Sequence, residues 1–283
     1  MTVAPHQTAT ADHDTTTAPV ARASAPAART RSHILSTWLP RFLGYLLVLA
    51  VWQFASGRLV DEFTLPSPAT MLGEVWEIID TGVVWRHFGA TLRKIAIGTV
   101  LAFVVGLTIG VLMARPWADA FFRHSVVGVL NTPGLVFVLV ATMIFGFNPI
   151  GPITAIVVTS FPFVTVNIAE GVKAIPKDLI DMSRAFRVAG VRRLRQVVIP
   201  FLAPYTFAAL RYAFSIAWKI ATLTELFGSS SGVGFMIRRE FELFSMAGLL
   251  AWIFLFCAFA LLLEALLQHG MRRYFRWRPE VVI

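Results

Sequence analysis

The chain has 283 residues, 57% of them hydrophobic and only 14% charged, with a mean hydropathy of +0.70. That excludes an ordinary water-soluble domain and marks a polytopic membrane protein. A formal charge of +9 would suit a nucleic-acid binder, but the basic residues gather in the gaps between apolar runs, as topology signals do, so no nucleic-acid partner is expected.

Residues 1 to about 31 are rich in Ala, Thr, Ser and Pro and nearly lack large apolar side chains, the composition of a disordered tail. The first apolar run begins only near Leu39, after Arg29 and Arg31, which does not fit a short secretory signal, and Asp12 and Asp14 weigh against a transit peptide. Apolar runs then cover 39–56, 91–114, 126–147, 150–169, 202–226 and 246–268, each near the ~20 residues a helix needs to cross hydrocarbon. The expected fold is therefore all-α, with six transmembrane helices. With both termini placed in the cytoplasm, only Arg58, Arg86, Arg93, Lys94, Arg238 and Arg239 fall outside, and seventeen Arg and Lys in the cytoplasmic segments satisfy the positive-inside rule. Cys257 is the single cysteine and forms no internal disulfide.

Between the first two runs, Leu65-Pro66-Ser67-Pro68 reads as extended chain, and Pro68 starts a short amphipathic helix. Leu72, Val75, Trp76 and Ile79 would press that helix onto the outer membrane face. The second run carries Gly98, Ala102, Gly106, Gly110 and Ala114 at intervals of four, a face of low bulk on which a neighbouring helix packs closely. Asn131-Thr132-Pro133 opens the third run, and Phe161-Pro162 with Asn167 lies in the fourth; both prolines imply kinks.

The stretch 178–205 is the long polar interruption. Leu179, Met182, Ser183 and Phe186 share one helical face, opposite Asp178, Asp181, Arg184 and Arg187. Pro176 suits the start of this helix and Gly190 its end. Val191, Leu194, Val197 and Val198 then begin a second amphipathic series with Arg192, Arg193 and Arg195 outward, and Pro200 closes the unit. Such a unit either docks on a cytoplasmic partner or lies on anionic lipid.

In the fifth run Arg211, Lys219 and Glu225 need an account, because a charge at membrane depth costs ~2.5–3.5 kcal/mol on insertion scales. Arg211 is near enough to the end to snorkel. Lys219 either lines a path, with Thr222 and Glu225 nearby, or pairs with an acid such as Glu264 of the last run. No HExxH, no GxxxxGK[ST], no paired Cys and no GxSxG occurs, and the six His stand singly, so no catalytic, metal or cofactor site is expected.

The 178–200 unit resembles the coupling-loop signature of ABC importer permeases. Asp181 stands for its Glu, Met182 and Ser183 for its Ala pair, Val197 for its Ile, and Ile199-Pro200 for its Leu-Pro, while Arg187 occupies the motif's Gly. Leu65-Pro66-Ser67-Pro68, Thr91-Leu92-Arg93, Asn131 with Pro133, Pro162 with Asn167, and Arg276-Trp277-Arg278-Pro279 are similar to the nitrate, taurine and aliphatic sulfonate type; Leu139 replaces a proline common there. The resemblance implies a non-enzymatic, multi-pass permease subunit of the bacterial inner membrane, importing a small anion as a homodimer. It further implies two cytoplasmic ABC ATPases and an external solute-binding protein. On the same template the chain comprises a tail at 1–37, a permease domain at 38–279 with its coupling loop at 171–200, and a tail at 280–283. The expected coupling residues are Asp181, Met182, Ser183, Phe186, Arg187, Gly190, Val197 and Pro200, and the expected path residues Asn131, Asn167, Lys219, Thr222 and Glu225. The alternatives are import of a thiamine-precursor pyrimidine or other small heterocycle by the same machinery, and an ion-coupled secondary transporter, which would show inverted repeats.

Overall fold

The computed structural model describes residues 30–274; the rest of the 1–37 tail, Arg276-Trp277-Arg278-Pro279 and the 280–283 end lie outside the described residues. The described residues are helical, with no strand beyond an isolated bridge between Ser56 and Val60. In chain order the helices are α1 (Thr30–Ala55), α2 (Pro68–Asp80), α3 (Val83–Leu112), α4 (Pro116–Asn131), α5 (Gly134–Phe145) and α6 (Ile150–Lys173). They continue with α7 (Lys177–Ala185), α8 (Gly190–Arg193), α9 (Ile199–Gly228), α10 (Val233–Glu242) and α11 (Met246–Tyr274). The chain divides into two compact units after Ala50, and helices α2 to α11 belong to the second, which begins at Val51.

Four helices are long and apolar enough to cross a membrane, Val83–Leu112, Ile150–Lys173, Gly190–Gly228 and Met246–Gly270. A fifth arises if α4 and α5 count as one span, but they meet at 92°. The kink expected at Pro133 in the run at 126–147 is thus a full break at Thr132-Pro133, because Pro133 has no N–H to donate and disfavours helix at the residue before it. The first expected run is helical but short, its apolar part being Pro40–Ala55. The second starts eight residues earlier than its hydropathy indicated, since Gly82 turns the chain at φ +71 and α3 begins at Val83.

Ser67 caps α2 by accepting the Thr70 N–H at 3.2 Å, and Pro68 occupies the first turn. The turn before it is held by Trp52 Nε1 donating to the Pro66 carbonyl at 3.1 Å and Ser56 Oγ to that of Leu65 at 2.8 Å. Met71 and Val75 bury themselves against Ala251 of α11, while Leu72, Trp76 and Ile79 stay exposed. Val75 therefore faces the core, a correction to its assignment to the membrane-facing side.

The centre is α6, packed against α3 on one side and α9 on the other. The small-residue face makes the first contact close: a Cβ on Gly98 would stand 2.7 Å from Ile156 Cγ2, one on Gly106 2.6 Å from Val164 Cβ, and one on Gly110 2.8 Å from the Thr165 carbonyl oxygen. Ala102 is fully buried in the same row, but Ala114 lies past the helix end and is exposed. Aromatic rings fill the space between α3, α9 and α11, with Trp218 stacked on Phe256 at 5.0 Å and Phe88 edge-on to Phe259 at 4.6 Å.

Candidate coupling segment and translocation site

α7 stands almost free. Asp178 lies in its first turn and Arg184 in its last, both favourable to the helix dipole. Ser183 is buried, but Leu179, Met182 and Phe186 are exposed, Phe186 to 77%. Asp181 and Arg184 make a surface pair at 3.4 Å. The helix stops by a Schellman turn: the Val188 N–H reaches the Ser183 carbonyl at 2.9 Å and the Arg187 N–H that of Arg184 at 2.8 Å. Arg187 sits at φ +50, so it, and not Gly190, supplies the left-handed residue. Gly190 instead begins α8, correcting the expectation that it ends the first helix.

Pro200 does not close the unit either. The helix runs from Gly190 to Gly228 over 39 residues and passes through it. Just before it, Leu194–Val198 is a π-turn, with the Ile199 N–H bonded to the Leu194 carbonyl. This wider turn loosens the backbone at residue 196, where the proline ring would otherwise press on a carbonyl. Val197 lies within that turn and is half-buried.

Of the five path residues, two share a cavity. Asn131 and Lys219 line a space of about 370 Å³ at the α4–α5 break, together with Thr132, Pro133, Gly134 and Phe163. Asn167 and Thr222 do not reach it, and each spends a donor on its own helix, on Phe163 O at 2.8 Å and Trp218 O at 3.1 Å. Asn131 likewise donates to Val127 O at 3.0 Å. Glu264 does not pair with Lys219: it accepts from Arg211 at 2.6 Å and from Gln268 at 3.0 Å. Among the described residues Lys219 has no carboxylate within ion-pair distance.

Glu225, expected along the path, is instead sealed inside. Its Oε1 lies 2.8 Å from Lys94 Nζ, and the two side chains are 0% and 2% exposed. Lys94 uses its remaining donors on Ser229 Oγ at 3.0 Å and the Ser231 carbonyl at 2.7 Å. The same group caps α10. The N–H of Gly232 donates to His87 Nδ1 at 3.2 Å, that of Val233 to Thr91 Oγ1 at 2.9 Å, and that of Gly234 to Glu225 Oε2 at 3.1 Å. Three otherwise orphaned N–H groups of a helix start thus receive side-chain acceptors, one of them an anion. Gly232, at φ +121, and Gly234 both press on Glu225, leaving no room for a side chain. Sequence reading counted Lys94 among the residues that fall outside, although it lies within the run 91–114, and so missed this pair. The signal was present, since His87, Thr91, Lys94 and Gly98 recur at helical spacing on one face.

Among the described residues no group of three or more His, Cys, Asp or Glu is placed to hold a metal ion. The region thus holds a short helix with an exposed apolar face, a long helix behind it, and, among the described residues, a lysine beside a cavity with no carboxylate within ion-pair distance.

Comparison with known proteins agrees. SsuC of Bacillus subtilis, whose name assigns it to aliphatic sulfonates transport, is 26% identical over 243 residues, 85% of this chain and 88% of its own. The nitrate import permease protein NrtB of Synechococcus elongatus is 27% identical over 214 residues, 72% of this chain and 76% of its own. Taurine and bicarbonate permeases are among the further relatives. In fold, the chain is similar to one from the inward-facing MetNI methionine ABC transporter, with a TM-score of 0.56 at 19% identity, covering 69% of this chain and 97% of that one. Residues 81–278 match the binding-protein-dependent transport system inner membrane component family, and the chain belongs to that family of inner-membrane transport permeases.

Proposed function

We propose that this chain is the membrane-spanning subunit of an ATP-driven importer that carries a small anion into the cytoplasm. The observation that carries the reading is α7, whose Leu179, Met182 and Phe186 are exposed at the head of a 39-residue helix. An apolar face on a short helix without packing partners is half of an interface. The chain has no GxxxxGK[ST] loop, so its energy source is a separate ATPase subunit, and α7 is where that subunit seats. Motion of α7 passes through the Schellman turn and the π-turn into α9, beside which the Asn131–Lys219 cavity lies. In this reading α1 and the broken α4–α5 pair complete six passes, and both termini and α7 lie on the cytoplasmic side, where the basic residues gather. Two copies work with two ATPases, and an external binding protein selects the cargo. The small-anion cargo is inferred from relatives named for sulfonates, nitrate, taurine and bicarbonate.

The test is Phe186→Asp and, separately, Asp181→Lys, in proteoliposomes carrying the complete complex. Loss of a central aromatic anchor is worth about 2 kcal/mol or more, so affinity for the ATPase should fall more than about tenfold. Uptake should be lost while the permease stays inserted and folded. Normal uptake by both variants would refute the assignment of α7.

A further inference from the structure

α7 stands almost free, so its direction is set where it joins its neighbours. At one end the Schellman turn and the π-turn lead into α9. At the other, α6 stops at Lys173, and only Ala174, Ile175 and Pro176 separate it from Lys177. We propose that Asp119 is a positioning residue for this second root: through Lys173 it fastens the end of α6 to α4, so that α4 moves with α7 and the wall of the Asn131–Lys219 cavity follows. The proposal rests on the reading of α7 as the ATPase seat and adds a second route from that seat to the cavity.

Lys173 Nζ lies 3.0 Å from Asp119 Oδ1. Arg123, one turn further along α4, orients the carboxylate for it: its Nη2 donates to Oδ1 at 2.8 Å and to Oδ2 at 2.7 Å, and its Nε donates to Oδ2 at 3.1 Å. A forked arginine fixes the plane of a carboxylate, so Asp119 presents a defined direction to the lysine. Pro116 starts α4 and Ala118 is fully buried, which gives the carboxylate a firm first turn to stand on. On the other side Gly171 presses on Tyr205 of α9, where a Cβ would stand 2.7 Å from the ring Cγ. The end of α6 is thus held by α9 through a close contact and by α4 through an ion pair.

Apolar packing also joins the two helices, since one cluster takes in Phe122, Val126 and Leu130 of α4 and Phe161, Val166 and Ala169 of α6. Burial of that kind is non-directional and does not by itself fix how far one helix slides along the other. The ion pair supplies the register at the Lys173 end. The Asp119 and Lys173 side chains are 22% and 41% exposed, so water and salt screen the pair and it adds little to stability. What it supplies is position. From Asp119 to Asn131 α4 rises about 18 Å, and it ends at the Thr132-Pro133 break, whose residues line the cavity of about 370 Å³. A helix pinned at one end and broken from its neighbour at the other carries a displacement along its length to that wall.

The test is thiol labelling of the cavity wall in the complete complex with its ATPase. Cys257→Ser removes the native thiol and Thr132→Cys places one at the cavity, where a maleimide reports access with and without a non-hydrolysable ATP analogue and Mg²⁺. In this parent the nucleotide should change the labelling rate. Lys173→Glu and Asp119→Lys should each abolish that change while the unfolding midpoint and co-purification of the ATPase stay as in the parent. Combining the two reverses the pair and should restore the response, which a loss of general stability would not do. Where a reversal does not fold, Asp119→Asn and Lys173→Gln, which remove the attraction without adding repulsion, carry the same comparison. An unaltered nucleotide response in the single variants, or none in the parent, would overturn the tether. Neither result touches the seating of the ATPase, because an ATPase that fails to co-purify with the parent is what would overturn the reading of α7.

Discussion

Arg187 holds a backbone angle, φ +50, that costs an L-residue with a Cβ roughly 1–2 kcal/mol and costs glycine little. The motif it resembles has glycine there, and the Schellman turn supplies the reason: the residue after the cap must be left-handed for Val188 to reach Ser183. Arg187→Gly should therefore stabilise the segment by about 1 kcal/mol, partly offset by the greater freedom of glycine in the unfolded chain. The check is thermal unfolding of the solubilised chain, where a lower midpoint would mean the arginine side chain compensates for its strain. Phe244, at φ +55 behind α10, ends its helix by the same pair of bonds, Phe244 to Phe241 and Ser245 to Glu240. Lys94 poses the opposite case, strong bonding at high desolvation cost. Lys94→Met would leave the Glu225 carboxylate buried without a counter-charge, at about 3–5 kcal/mol. Adding Glu225→Gln removes the stranded charge and keeps an acceptor for the Gly234 N–H, so the double variant should be more stable than Lys94→Met alone. Additive losses in that unfolding cycle would show that the two side chains act separately.

Among the elements, the contact of α3 with α6 has the least tolerance. A Cβ on Gly106 meets not only Val164 Cβ at 2.6 Å but the Phe161 carbonyl at 2.7 Å, which is backbone and cannot rotate away. Gly106→Leu should force the two helices apart, and overpacking of this kind costs about 1–3 kcal/mol or more. Gly128, in the interior of α4, has nothing within 4 Å of where its Cβ would lie. Gly128→Ala should thus be neutral or gain up to about 1 kcal/mol from helix propensity. Measuring both by thermal unfolding in detergent separates a packing role from a general intolerance of glycine replacement; equal effects would count against the close-contact account. The π-turn before Pro200 belongs to this scale as well, since one helix runs through it from Gly190 to Gly228 without a break.

For the whole molecule, the proposal requires partners. One chain presents a single α7, whereas ABC machinery pairs two ATPase subunits, so a two-fold assembly is expected. The purified complex in detergent should have the mass of two permease chains with two ATPases. A transport-competent complex with one permease chain would rule this out. A two-copy assembly would also double Lys219, one from each chain.

Composition and hydropathy were enough to establish a helical membrane protein, because burying a backbone in lipid leaves few alternatives to helices. The small-residue row of α3, the start of α2 at Pro68 and the apolar face of α7 were also legible, since each depends on residues close together in one segment. What the sequence could not decide is pairing between segments. Hydropathy averages over a window, so it joined α4 to α5 across a 92° break and began α3 too late, leaving out His87; it put Lys94 at the outer end of its run, where it was counted as outside. Glu225 finds Lys94 at a separation of 131 residues, and Glu264 finds Arg211 rather than Lys219 at 53. Those partnerships are set by how α3, α6, α9 and α11 pack, and only the tertiary structure shows that one intramembrane lysine is neutralised by a partner while the other is left to face a cavity.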